Sequence, residues 1–460
     1  MSRIITPNYG CSRRQAIRSL VSGSLLLPGI VSQLFADEAG DEENPLAPRA
    51  PHFPGKAKRV IFLYMSGGVS HLDSFDPKPR LIADAGQLAR KSSTVKYLPP
   101  LWDFKPGGKC GTEVSDLFPY IRDCVDDICM VRSMYGDNND HFQATLGIHT
   151  GSVSFKRPSL GSWVSYGLGT ENQNLPSFAV LAPSLPYAGS QVWSADFLPG
   201  CHQGTRVVAG AEPIPDLNRR SATPEIQNLE LGLLDRFNRK HLAQRPADPM
   251  LSARIKSFET AFGMQREMPD VLDLSKETEA TLNLYGLERG SNKGFAWQCL
   301  VARRMVERGV RFVELIDVGS HDNWDAHADM KTHLPLAKNV DQAIAGLLKD
   351  LKSRGMLDDT LVVWTTEFGR SPVGEGRGRG HHNSAYSSWL AGAGVKGGTV
   401  YGKSDEYGNG IAENPVHVHD FHATILHLLG FDHKKLTFRH GGRDFRLTDV
   451  AGKVMPALLA

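Results

Sequence analysis

The sequence predicts an α/β fold in which a doubly wound, mostly parallel central sheet carries helices on both faces. Three observations predict it: continuous apolar runs, helical stretches that alternate with them, and an ordinary globular composition. The chain has 460 residues, of which 41% are hydrophobic and 22% are charged. A chain of that size and composition can bury a large core, which excludes disordered and fibrous classes for most of its length.

Five apolar runs are predicted to form strands, because runs without polar alternation are typical of strands that are buried on both faces. The first run ends in Ser66-Gly67-Gly68, which suits a sharp turn after a central strand. The predicted strands are residues 60–65, 128–133, 178–181, 310–316 and 360–365. The predicted helices are residues 229–244, 250–264, 294–308 and 337–353, the last with Gly355 after its end. Strands that alternate with helices indicate a doubly wound sheet.

The first 36 residues are predicted to be a twin-arginine export signal. Arg13 and Arg14 precede a modestly apolar run at residues 20–31, and acidic residues follow. That run is too short and too interrupted to span a membrane. The alternative is a chance pair of arginines before a short buried helix. We expect an extended linker at residues 37–56, a single domain at residues 57–460, a periplasmic or secreted location, and the twin-arginine export machinery as a partner.

The charge of the chain predicts neither a nucleic-acid partner nor an anionic membrane surface. The formal net charge is +2, and residues 1–36 contain four arginines and no acids, so the remaining chain carries 2 minus 4, or −2. No run of lysine or arginine remains after the predicted signal. Five cysteines also remain, without a paired metal-binding spacing, and one or two disulfides are compatible with export.

Polar clusters follow the predicted strands, where α/β proteins bind metals and anions. Asp73 lies beyond the first strand, in a segment that also reads as a common loop and capping pattern. His141 and Thr145 are four residues apart and would share one face of a helix. A helix start of that kind is also common in ordinary packing. Residues 417–427 contain several histidines, which we expect mostly to pack the last helix.

Two further clusters combine acids, histidines and arginine. His321, Asp322, Asp325 and His327 fall within seven residues, and carboxylate with imidazole suits zinc, manganese or iron. A structural role for that cluster is equally compatible with the sequence. The other cluster follows the fifth strand and comprises Glu367, Arg370, His381 and His382. A glycine- and arginine-rich loop, residues 374–380, lies between Arg370 and His381. An arginine in such a loop is suited to hold a tetrahedral oxyanion in a bidentate grip.

The order of these motifs resembles an uncharacterised, exported sulfatase-like family, a domain of unknown function related to the alkaline phosphatase superfamily. The resemblance runs from about Lys58 to Val450, through the segments FLYMSGGVSHLDSFDPKP, HFQATLGIHTG, RPSLGSWVSYGLG, NWDAH, DDTLVVWTTEFGR and NPVHVHDFHATILHLLG. It implies an alkaline phosphatase or sulfatase-like fold. It also places Glu367 where the superfamily has a metal-binding acid, and Phe368 where a second ligand stands.

The resemblance also places His141 at the nucleophile position and Thr145 at the position of a neighbouring arginine, counting back from Thr150-Gly151. Because neither is Cys or Ser, formylglycine chemistry is not expected. We expect an exported metal-dependent hydrolase of sulfate or phosphate esters, acting on an anionic ester or a polysaccharide. The alternative is a non-catalytic protein that binds sulfated or phosphorylated polysaccharide at the cell surface, which the missing nucleophile and Phe368 favour.

Nine residues carry the predicted site. A divalent metal, zinc, manganese, calcium or magnesium, is expected as the cofactor, because carboxylates and imidazoles are ligands for such ions. Its predicted ligands are Asp73, Asp325, His327, Glu367, His381 and His382. The predicted catalytic residues are His141, Thr145 and Arg370. Among them, His141 is expected to act as a general acid or base, or as a nucleophile.

Overall fold

The computed structural model describes residues 44–89, 94–245, 248–318 and 323–460. The predicted export signal therefore lies outside the described residues, as do His321 and Asp322 and the first part of the predicted linker. From Asn44 onward the chain lies against the folded body: Leu46 is 2% exposed, and its carbonyl oxygen accepts a hydrogen bond from the Thr170 amide. Within the described ranges, no helix combines the length and hydropathy that crossing a bilayer requires.

A nine-stranded sheet forms the centre of the fold. Its strands are β1 (Arg59–Met65), β2 (Ile128–Tyr135), β3 (Phe178–Leu181), β4 (Thr205–Val207), β5 (Phe312–Asp317), β6 (Thr360–Thr365), β7 (Tyr386–Ala391), β8 (Thr399–Tyr401) and β9 (Val416–His417). The order is β8-β2-β7-β6-β1-β5-β3-β4, and β9 also pairs with β2. Strand β7 runs antiparallel to β2 and β6, whereas the other pairs of this sheet are parallel.

Helices cover both faces of the sheet. They are α1 (His71–Ser74), α2 (Pro79–Ala83), α3 (Pro119–Arg122), α4 (His141–Thr150), α5 (Leu160–Leu168), α6 (Pro224–Ala243), α7 (Pro249–Leu272), α8 (Glu279–Tyr285), α9 (Gly294–Glu307), α10 (His333–Ser353) and α11 (Val418–Leu428). Alternate residues of β1 point to opposite faces, as in any strand. Leu63 lies in the core cluster that includes α9 and α10, and Phe62 lies in the cluster that includes α5 and α11.

Short antiparallel strand pairs fix the loops around the sheet. They are Lys96–Tyr97 with Val373–Gly374, Phe104–Gly107 with Thr112–Ser115, Gly369–Arg370 with His381–His382, Lys403–Ser404 with Ile411–Glu413, and Phe438–His440 with Arg443–Phe445. The five cysteines in the described part of the chain are free thiols, so no disulfide joins those residues.

All five predicted strands are present, and the predicted fold class is confirmed. Three of the four predicted helices begin earlier or end later than predicted, whereas α9 (Gly294–Glu307) ends one residue before its predicted end. Helix α6 begins at Pro224, because the Thr223 side chain accepts a hydrogen bond from the Ile226 amide and caps the helix there. Helix α7 continues to Leu272 and contains Pro269. Gly355 follows α10 with a φ of +68°, as a residue after a helix end commonly does.

The carboxyl ends of β1, β2, β5 and β6 open onto one edge of the sheet. Strand β1 pairs in parallel with β5 and β6, and the two antiparallel pairings of β7 leave β2 parallel to β6. The turn after β1 needs glycine: Gly67 has a φ of +115°, and an added Cβ would lie 2.7 Å from the Trp324 amide nitrogen. This turn brings the segment after β5 close to the end of β1.

Candidate metal centre

Four segments meet at the edge where these strands end. His141 is the first residue of α4, and the Asp140 side chain caps that helix by accepting from the Phe142 amide. Asp325 lies in the loop after β5, and Glu367 follows β6 by two residues. The short strand that contains His381 pairs with Gly369–Arg370, which begins two residues after Glu367. The fold therefore gathers side chains that are far apart in the sequence.

Three imidazole nitrogens converge on the Asp325 carboxylate. His141 Nε2 lies 3.3 Å from Oδ2, and His327 Nε2 and His381 Nε2 lie 3.0 and 3.3 Å from Oδ1. The latter two nitrogens are 2.8 Å apart. The ligand atoms of His141, Asp325 and His381 all lie within 4.8 Å of one another. These separations allow one cation to contact several of these atoms together.

The outer nitrogens of two of these histidines are held by acceptors. His141 Nδ1 lies 2.7 Å from Glu367 Oε1, and His381 Nδ1 lies 2.8 Å from the Asn139 carbonyl oxygen. Because a carboxylate and a carbonyl only accept, we infer that each Nδ1 donates a hydrogen, which leaves each neutral Nε2 with a lone pair. That lone pair faces the Asp325 carboxylate. Histidines oriented in this way by an outer acceptor are typical of metal sites.

Glu367 is the centre of a buried hydrogen-bond network beneath the cluster. Its Oε1 accepts from the Gly67 amide at 2.8 Å as well as from His141. Its Oε2 accepts from the Tyr64 hydroxyl at 2.9 Å, and that hydroxyl lies 2.8 Å from Thr145 Oγ1. Thr145 is fully buried, one turn along α4 from His141. The network therefore fixes the orientation of the His141 ring from below.

The electrostatics of the cluster favour ionised carboxylates beside a cationic imidazole or a metal. Burial lowers the pKa of His141, but its hydrogen bonds with Asp325 and Glu367 outweigh burial and raise that pKa to about 9. Burial raises the pKa of Asp325, but its hydrogen bonds with His141 and His381 bring that pKa well below the usual range. Burial raises the pKa of Glu367, but its hydrogen bond and charge interaction with His141, together with the hydrogen bond from Tyr64, lower that pKa below the usual range.

The donor set fits a divalent metal. His141 Nε2 is buried, and its contact with Asp325 Oδ2 at 3.3 Å is long and poorly aligned for a hydrogen bond. The His327 and His381 nitrogens also face each other and the same oxygen. A cation held between His141, Asp325 and His381 would satisfy the facing atoms of these three side chains. Imidazole nitrogens with one carboxylate suit zinc and the other transition metals better than calcium or magnesium, which prefer oxygen ligands.

Arg370 supports the cluster from the buried side. Its Nε donates to the Gly68 carbonyl at 2.8 Å, its Nη1 to the Arg379 carbonyl at 3.2 Å, and its Nη2 to Asp325 Oδ1 at 2.6 Å. Because the side chain is 0% exposed, these contacts leave it poorly placed to grip a substrate. The predicted role of Arg370 in holding anionic oxygens stays a prediction, and its contacts favour positioning of Asp325.

Aromatic rings form the wall of the site. The Phe368 ring centroid lies 4.7 Å from those of both His141 and His381. Tyr187 stacks on His141 with a centroid distance of 4.1 Å and an interplanar angle of 6°. His327 lies on the open side, where 54% of its side chain is exposed. The site is therefore walled by rings on one side and reaches solvent beside His327.

Asp73 and His382 are not brought into the cluster. Asp73 is fully buried, and its oxygens accept from Arg379 Nε at 2.8 Å, from Ser70 Oγ at 2.6 Å and from the Leu101 amide at 3.0 Å. His382 Nε2 lies 2.7 Å from the Asn409 carbonyl oxygen. Their assignment as ligands stays a prediction, and these contacts favour structural roles.

Tyr64, Asn139 and Tyr187 take part in the site although the sequence did not single them out. The sequence does contain a sign of the role of Tyr64, because its side chain places a hydroxyl group within the otherwise apolar run of β1. Asn139 contributes through its backbone carbonyl, which any residue type supplies. Tyr187 lies in a loop between β3 and β4, and nothing in its neighbourhood predicts contact with α4.

The chain belongs to the family described as "Protein of unknown function (DUF1501)", whose sequence profile matches residues 57–459. No curated protein matches it significantly.

Similar solved structures have low identity. PsFucS1 sulfatase from Pseudoalteromonas sp. is 14% identical, covers 94% of this chain and 75% of its own, and has a TM-score of 0.39. Alkaline phosphatase from the Antarctic bacterium TAB5 is 12% identical, with coverages of 83% and 100% and a TM-score of 0.34. Phosphonate monoester hydrolase SpPMH from Silicibacter pomeroyi is 13% identical, with coverages of 68% and 68% and a TM-score of 0.33. Likenesses of this size carry no inference about activity.

Proposed function

We propose that this protein is an exported metal-dependent hydrolase of sulfate or phosphate esters. The convergence of three imidazole nitrogens on the Asp325 carboxylate carries the proposal. A divalent cation held there would supply a Lewis acid that polarises the ester and lowers the pKa of an attacking water. The ester class is supported by the resemblance of the sequence motifs to the alkaline phosphatase superfamily, and export is supported by the twin-arginine pattern.

His141, Asp325 and His381 are the residues that hold the cation, because their ligand atoms form the compact group. Glu367 and the Asn139 carbonyl orient the two imidazoles, and Arg370 orients the carboxylate. Three protein ligands leave coordination positions open, as catalytic sites require. In this assignment His141 binds the cation, whereas the sequence predicted a catalytic role for it. Glu367 orients His141, whereas the sequence predicted that Glu367 binds the metal.

His327 is the residue that accepts a proton from the attacking water. It was predicted as a ligand, but its ring lies on the solvent side of the cluster and is half exposed. A neutral imidazole within hydrogen-bond reach of the reacting water is suited to act as a general base. The Phe368 and Tyr187 rings pack against His141 and exclude water there. Attack is therefore expected from the side where His327 lies.

Metal analysis of the purified full chain, followed by turnover of aryl sulfate, phosphate monoester and phosphodiester substrates, tests this proposal. His381→Ala is expected to lose both metal and turnover. The adjacent His382→Ala is the matched comparison and is expected to retain metal, because its ring contacts the Asn409 carbonyl instead. His327→Ala is expected to retain metal and lose turnover. A protein without metal and without turnover, or full turnover in His381→Ala, would contradict the proposal.

A further inference from the structure

Helix α6 exposes an apolar stripe. All twenty of its residues are described, and none of them is buried. Ile226, Leu229, Leu233 and Phe237 are 43%, 75%, 57% and 62% exposed. Their spacing of three, four and four residues places them on one face of the helix. A row of four exposed apolar side chains is typical of a contact surface rather than of a solvated helix.

The opposite face of α6 already has a partner within the chain. Gln227 Nε2 donates a hydrogen bond to Gln265 Oε1 of α7 at 2.8 Å. Leu231 and Leu242 lie near the same side of the helix as Gln227 and are half-buried. Because that side lies against α7, the apolar stripe points away from the body of the protein. Within the described part of the chain, the stripe is therefore available to a separate partner.

The charges along one edge of the stripe are self-complementary. Glu225 lies near the start of α6, and Arg236 and Lys240 lie toward its end. At 100° per residue, Glu225 and Arg236 flank one edge of the stripe, and Lys240 lies on the same side of its midline, beyond Phe237. If a second copy of α6 lies antiparallel across the stripe, each Glu225 falls opposite Arg236 and Lys240 of the other copy. A two-fold symmetric contact requires this kind of self-complementarity.

The net charge of α6 favours a second copy of α6 over an anionic membrane surface as its partner. Three acids and three bases cancel with histidine neutral: Glu225, Glu230, Asp235, Arg236, Arg239 and Lys240. A helix that binds an anionic membrane surface usually carries excess lysine and arginine on its polar face. The separation of opposite charges along the helix instead favours an antiparallel copy of itself.

We propose that α6 is a dimerisation helix that pairs antiparallel with α6 of a second copy of this chain. The stripe from Ile226 to Phe237 is about 17 Å long at 1.5 Å per residue. A contact of one helix face lies at the small end of specific interfaces, so the dimer is expected to be reversible. Its dissociation constant is expected to be on the order of micromolar.

Sedimentation velocity of the full chain across a concentration series tests this proposal. The wild-type chain is expected to change from monomer to dimer as concentration rises. Glu225→Arg, and separately the double variant Arg236→Glu with Lys240→Glu, are each expected to weaken the dimer at least about tenfold, because opposite charges become like charges. An equimolar mixture of the two variants is expected to restore association, since each supplies the charge that the other lacks.

Matched controls separate these effects from a general change of charge. Glu406→Arg, and the double variant Lys434→Glu with Lys435→Glu, change exposed residues outside α6 and are expected to leave the dimer unchanged. Leu229→Ser is expected to abolish dimerisation without lowering the melting temperature of the monomer, measured at concentrations where the wild-type chain is also monomeric, because its side chain is 75% exposed.

Four outcomes would overturn the proposal. One is a wild-type chain that stays monomeric up to about a hundred micromolar, well above the expected dissociation constant. Another is a dimer that resists both sets of charge reversal, or a mixture that fails to restore it. A third is a monomer that binds phosphatidylglycerol vesicles through Leu229. The fourth is a dimer that forms only after removal of residues 1–43, which would show that this segment covers the stripe in the full chain.

Discussion

Replacement of Glu367 by glutamine tests whether Glu367 binds the metal itself or orients a histidine that binds it. The change keeps the side-chain shape and removes the negative charge. The amide oxygen is expected to remain at the Oε1 position, where the Gly67 amide and His141 both donate. The new NH₂ group then faces the hydroxyls of Tyr64 and Thr366, which lie within 3.0 Å of Oε2 and can rotate to accept. The fold should therefore persist.

The expected magnitude follows from the bond between Glu367 and His141. A hydrogen bond to a charged group contributes about 1.5–3 kcal/mol, and one between neutral groups contributes about 1 kcal/mol. Loss of the charge at this 2.7 Å contact should therefore weaken metal binding by about 1–2 kcal/mol, or roughly 5- to 30-fold. Substitution of outer partners of metal-binding histidines usually costs 10- to 100-fold in affinity.

Competition with a chromophoric chelator measures the affinity directly. Glu314→Gln is the matched control, because Glu314 is also a buried glutamate within 2.7 Å of a histidine nitrogen, that of His149, but lies within β5. Its metal affinity is expected to be unchanged. A loss of more than about a thousandfold in a folded Glu367→Gln protein would mean that Glu367 itself binds the metal. An unchanged affinity would mean that the bond to His141 does not tune the site.

Two other substitutions test neighbouring parts of the structure. Gly378→Ala should reduce turnover on the order of 10²-fold, because a Cβ there would lie 1.9 Å from the His327 carbonyl oxygen and displace that residue. Gly376→Ala meets nothing within 4 Å and should be neutral, so equal turnover in both variants would exclude a role for the position of His327. Arg379→Met should lower the free energy of unfolding by about 3–5 kcal/mol, because it leaves Asp73 buried without its ion pair. Denaturant unfolding measures this loss, and a parallel loss of metal affinity would place Asp73 within the metal site.

The strands that the sequence predicted are those that bury both faces. Their apolar runs can be recognised in the sequence without knowing which strands lie beside them. Strand β7 was not predicted, because Ser387 and Ser388 interrupt its apolar residues. In the structure both are buried, and Ser388 Oγ lies 2.7 Å from Thr365 Oγ1 of the adjacent strand. Its polarity is thus satisfied by a contact that only the folded sheet provides.

The candidate site was predictable in residue type and in its position at the strand ends, but not in its contacts. The sequence singled out Asp325 and His381 because acids and imidazoles recur where strands end. Their contact joins loops 56 positions apart, and their shared edge depends on the sheet order. Likewise, the distinction between Asp325 in the cluster and Asp73 outside it depends on Arg379, which reaches Asp73 across 306 positions. Local patterns do not encode such pairings.

The long sequence separations in the candidate metal centre also bear on how the chain folds and resists proteolysis. Asn139 and His381 lie 242 positions apart, so their arrangement around a cation exists only in the folded protein. An ion that binds this state and not the unfolded chain stabilises it by about 2.7 kcal/mol at a hundredfold excess over its dissociation constant. The centre would then act as a reversible cross-link between distant segments. Chelation should lower the melting temperature and increase proteolytic cleavage, even in a variant that has lost all turnover.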